Sequence, residues 1–97
     1  MIHAIYFRLQ PFASLASAEE TLHLARFAVE GLVGRSRVQM EAQCLKNEAS
    51  QAIVINVSRP AGLLVALIFA GLLSRQFGED AFSVAFLHIV IADGEQS

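Results

Sequence analysis

The chain has 97 residues, 55% of them hydrophobic and 16% charged, and a formal net charge of −2. This length sets one domain near the lower end of single-core size, and the charge excludes a general electrostatic attraction to nucleic acid. Average soluble domains carry roughly 45–50% apolar and 25% charged residues, so the apolar excess predicts an assembled protein, not a free monomer with a fully solvated surface.

Residues 2–9 read as a strand, because Ile5, Phe7 and Leu9 alternate with Ala4, Tyr6 and Arg8. Pro11 ends it. Ser17 and Glu20 have the spacing of a capping box, which predicts a helix start there. Leu22, Ala25, Val29 and Leu32 follow at helical spacing, with Leu24, Phe27 and Ala28 widening the stripe and Glu19, His23, Arg26 and Glu30 on the polar side. Gly34 marks the stop. Residues 37–45 alternate again, Val38, Met40, Ala42 and Cys44 against Gln39, Glu41 and Gln43, which predicts an edge strand with one wet face. A polar loop over 46–50 leads to a central strand rich in β-branched residues, Ile53, Val54, Ile55 and Val57.

The run from Ala61 to Leu73 holds thirteen residues without a polar side chain. Pro60 suits the first turn of a helix and Gly78 its end. A helix apolar on every side must be covered on every side, and a chain this small has little material to cover it alone. The run is short of the ~20 residues that span a bilayer, so no transmembrane segment is expected. Residues 81–91 form a last apolar strand, and 93–97 a polar tail.

The order β-α-β-β-α-β predicts one α+β domain over residues 1–97 in the ferredoxin-like split βαβ arrangement. Four antiparallel strands would lie in the order 4-1-3-2, with two helices on one face. Ile5, Phe7, Leu9, Phe82, Val84 and Phe86 would face the helices. Ala4, Tyr6, Arg8, Ala52, Val54, Asn56, Ser83, Ala85, Leu87 and Ile89 would form the open face. A twin chain covering that face is the plain expectation. A shallow ligand site there would draw its polar groups from Tyr6, Arg8, Glu41 and Asn56. Gly62, Ala66 and Ala70 recur every four residues and admit a close backbone, either a subunit or the chain's own core. With Leu87 and Ile89 they make up the expected interface.

Catalytic signals are sparse. His3 and His88 would meet at one end of the sheet, but no metal-binding spacing accompanies them. Cys44 cannot form an internal disulfide, which suits a reducing compartment, and its alternation with apolar residues predicts an inert buried thiol. Arg8, Gln10 and Pro11 interrupt the apolar stretch that a secretory signal ending at Ala16–Ala18 would need, which places the protein in the cytoplasm. Ser58 and Arg59 read as a helix cap and a surface arginine, and Glu79 and Asp80 as a solvated turn. Tyr6 alone is too little aromatic surface for RNA recognition by this fold. No cofactor is implied. The expected function is a non-catalytic homo-oligomer, a dimer in its simplest form, that acts by association or by binding a small ligand. The alternative is a small dimeric enzyme on the open face, with Arg8 binding an anion and Glu41 or His88 moving protons. Peripheral membrane attachment through the second helix lacks the basic face usual for such helices.

Overall fold

Alternation along the first segment does give a strand, β1 (Ile2–Leu9), in the computed structural model, which describes residues 2–89. The helix after it, α1 (Leu15–Val33), starts before the predicted capping box. Ser14 is the N-cap, and its hydroxyl accepts the Ser17 N–H at 3.2 Å. Starting there lets the partly buried Leu15 pack against the core.

Residues 37–45 depart from the expected strand. They form a short helix, α2 (Arg35–Glu41), and only then a four-residue strand, β2 (Cys44–Asn47). The reason lies in the spacing. Val38 and Ala42 are four apart, a separation that satisfies both a strand period and a helix turn, and both are 0% exposed. The residue that separates the two readings is Met40. A strand would bury it with Val38, but it is 76% exposed. The Arg37 and Glu41 side chains pair at 3.1 Å across one helical turn.

β3 (Ala52–Asn56), α3 (Pro60–Phe77), a 3-10 turn (Glu79–Ala81) and β4 (Phe82–Ile89) complete the chain. The strands form one antiparallel sheet in the order β2-β3-β1-β4, so β1 and β3 are central and β2 and β4 are edges. The protein is therefore α+β, with a four-stranded antiparallel sheet and three helices. The third helix, α2, adds to the two expected. Gly34 and Gly78 end α1 and α3 with φ of 97° and 87°, a region that glycine enters without strain.

Register fixes the faces. Ile5 opposes Ile55 and Phe7 opposes Ile53, and all four point under the helices. Ala18, Leu22, Ala25 and Val29 of α1 and Val65, Phe69 and Leu73 of α3 close the core over them. Phe7 meets Phe69 edge to face at 4.9 Å and 76°. Fully burying a side chain of this size contributes about 1.5–3 kcal/mol, so this layer dominates stability. The cover stops short of β4. Phe82 packs on the core, but Val84 and Phe86, which share that face, are 54% and 58% exposed.

Candidate functional site

Three cross-strand rows make up the open face. Tyr6 stands between Val54 and Ala85, with Leu45 beyond. Arg8 stands between Ala52 and Ser83, with Asn47 beyond, and Ala4 between Asn56 and Leu87. The centre is apolar and the polar groups lie at its two ends. Tyr6 and Arg8 are two residues apart on one strand and share this surface. Asn56 lies at the other end, where its Oδ1 accepts the Ser58 N–H at 2.9 Å.

Glu41 is not on this face. It ends α2, a helix packed on α1 and α3, and it pairs with Arg37. The four groups expected to converge on a ligand are thus split between the open face and the helix layer. The physical cause is the helix at 35–41, which lifts Glu41 out of the strand that would have aligned it with Asn56.

The small-residue stripe of α3 packs within the chain. Gly62 and Ala66 are buried, and Ala70 rests against the core. A Cβ at Gly62 would overlap the Asn56 carbonyl oxygen and come within 3.0 Å of the Glu41 carbonyl. The stripe therefore docks the end of α2 and the exit from β3. Leu87 is half-buried on the open face beside Ala4. Ile89 pairs with Ile2, and its side chain, like the tail 93–97, lies outside the described residues.

His3 and His88 do meet. Their rings are 4.6 Å apart and nearly perpendicular, and Phe86 stands 5.5 Å from His88 and 6.5 Å from His3. This trio sits on the helix side of the β1–β4 pair. Among the described residues no three His, Cys, Asp or Glu side chains converge as metal ligands. Ser58, read as a helix cap, instead accepts the His3 backbone N–H at 2.9 Å, while Arg59 is the N-cap of α3 and caps nothing with its side chain.

Cys44 lies in a cleft between α1 and β2 with Glu19, His23, Arg26 and Lys46, enclosing about 340 Å³. Burial pushes its thiol pKa up, and the Arg26 guanidinium, 3.3 Å away, offsets only part of that. The thiol stays protonated at neutral pH and is a poor nucleophile. Arg26 also donates to the Ala42 carbonyl, and Lys46 pairs with Glu19 at 3.2 Å and Glu48 at 3.4 Å. Lys46 is thus paired with carboxylates, and Arg26 is held by a carbonyl and the thiol.

Pattern analysis of the sequence missed the uncovered side of β4. The sequence of β4, FSVAFLHI, has no proline, lysine or carboxylate. At a sheet edge that composition is itself a signal. The chain matches no protein-family model, no curated protein and no solved structure.

Proposed function

We propose that this protein is a non-catalytic, self-associating interaction module, an elaborated ferredoxin-like split βαβ domain whose copies pair through β4. The carrying observation is the exposure of Val84 and Phe86 on an eight-residue edge strand. Among the described residues no strand pairs with the outer side of β4. An unpaired edge offers a row of N–H and C=O groups, and an apolar, uncharged one is a template for another strand. A second copy of β4 running antiparallel fits a closed two-fold contact, because each copy presents the same residues to the other. Val84 and Phe86 of each chain would then cover those of its twin.

Magnitudes set the strength. Val84 and Phe86 are 54% and 58% exposed, so burying what remains of them on two copies is worth about 3–7 kcal/mol, and association costs ~4–15 kcal/mol before backbone hydrogen bonds contribute. The balance favours a weak dimer that dissociates on dilution, micromolar or weaker. A reducing, cytoplasmic setting suits the single half-buried thiol.

The enzyme alternative requires Arg8 to converge with Glu41 or His88. They lie on the open face, in α2 and on the helix side of β4. A membrane reading draws on α3, which is long and apolar enough to cross a bilayer by length and composition, but Ala61, Val65, Phe69 and Leu73 form a buried stripe packed into the core of the fold.

Light scattering across a dilution series tests the proposal. Wild type should pass from dimer to monomer as concentration falls, and Phe86→Lys should be monomeric throughout with an unchanged circular-dichroism spectrum. A wild-type monomer at every concentration, or a Phe86→Lys dimer as tight as wild type, would remove the reading.

A further inference from the structure

At the end of the sheet opposite the histidines, β1 leaves for α1 past Arg8, Gln10 and Pro11. There it meets residues 49–51 of the β2–β3 turn and Ser83 of β4 around a cavity of about 570 Å³. The walls are tied together. Leu9 N–H donates to the Gln51 carbonyl and Gln10 N–H to the Ala81 carbonyl, each at 2.8 Å, and Gln51 Nε2 donates to the Gln10 carbonyl at 3.1 Å. Three segments of the chain are thereby tied together beside the cavity.

Its chemistry is one-sided. Arg8 and Ser83 are cross-strand partners, so the guanidinium and a hydroxyl start from adjacent points on the open face. Among the described residues Arg8 is in no ion pair. No carboxylate of the described residues lines the cavity. Leu9, Pro11 and Ala49 add an apolar wall.

We infer that this cavity binds a small organic anion, its carboxylate or phosphate group held by the Arg8 guanidinium and the Ser83 hydroxyl, its body against Leu9, Pro11 and Ala49. Guanidinium offers a planar fork of donors that matches either oxyanion. The volume falls within the range of small-molecule sites, about 300–1,000 Å³. The site does not depend on the pairing of β4, because Ser83 points to the open face and Val84 and Phe86 to the other.

The test is a set of amide NMR titrations of the full chain with inorganic phosphate and with acetate, at ionic strength held constant with chloride. Saturable shifts should centre on residues 8–10, 50–51 and 83. Arg8→Gln should weaken binding at least about tenfold, the size expected for a lost charged hydrogen bond. Ser83→Ala should weaken it less, and Arg75→Gln should leave it unchanged. Earlier saturation by phosphate identifies a phosphorylated ligand, and by acetate a carboxylate. Shifts that grow linearly without saturating, or that are as large at Arg35, Arg59 and Arg75 as at Arg8, would overturn the proposal. The same titration on Phe86→Lys separates the two readings. Retained binding supports a site complete in one chain, and lost binding overturns it, while the solution mass of each sample reports on self-association alone.

Discussion

The two edges of the sheet are built to opposite rules. β2 has four residues, carries Lys46 and Asn47, and is overhung by α1, from which Glu19 reaches Lys46 and Arg26 reaches Cys44. β4 has eight residues, no lysine, carboxylate or proline, and, among the described residues, no helix over Val84 and Phe86. Charge, shortness and cover are the usual means by which proteins keep an edge from pairing. One edge uses all three and the other none. The difference teaches where association is prevented and where it is left open.

The largest effect should come from breaking the side that is closed. Gly62 lets the end of α2 and the Asn56 carbonyl approach α3 more closely than any side chain permits. Gly62→Ala forces backbone to move on both neighbours, at a cost of about 1–3 kcal/mol. In a domain of this size each kcal/mol lowers Tm by about 4–8 °C, so thermal unfolding should show a clear drop. An unchanged Tm would mean that the junction of α2, β3 and α3 is looser than its geometry.

Opening the comparison from the other side, Val84→Lys should act as Phe86→Lys does, abolishing dimer formation without lowering monomer stability by more than about 0.5 kcal/mol, since both side chains already face solvent. Hydrogen exchange sharpens the contrast. On raising protein concentration the β4 amides should gain protection and the β2 amides should not. Equal gains at both edges would place the contact elsewhere.

Much of this architecture is legible in the sequence, and the failures have physical causes. Alternation in β1 put Tyr6 and Arg8 on the open face because period two has one solution once Ile5, Phe7 and Leu9 claim the core. Val38 and Ala42 misled because a spacing of four fits both a strand and a helix, and placing Glu41 on the sheet followed from that error. For Val84 and Phe86 the face was readable but the cover was not. Periodicity says which way a side chain points, and it does not say how far a helix from elsewhere in the chain extends over it. The Arg8 cavity joins residues some forty and thirty positions apart through backbone hydrogen bonds, and such a junction has no local pattern.

Cys44 and Lys46 give the smaller effects on the closed edge. Alkylation of Cys44 at neutral pH should be slower than that of an exposed thiol, because burial holds it protonated, and Arg26→Ala should slow it further by removing the partial offset from the guanidinium. Faster modification in Arg26→Ala would show instead that the arginine acts as a lid. Lys46 is the smallest case. Its ammonium is exposed, and Glu19 and then Glu48 raise its pKa above the ordinary 10.5. A group whose pKa is higher in the folded state adds stability that is fully present below the unfolded value and disappears as pH rises through the folded one. Lys46→Ala should therefore lower Tm slightly at neutral pH, by an amount that shrinks with added salt and vanishes above the raised lysine pKa. A decrement that persists in high salt and at alkaline pH would mean that Lys46 protects the β2 edge by packing its stem against α1, and that charge is the least of the three devices on that side.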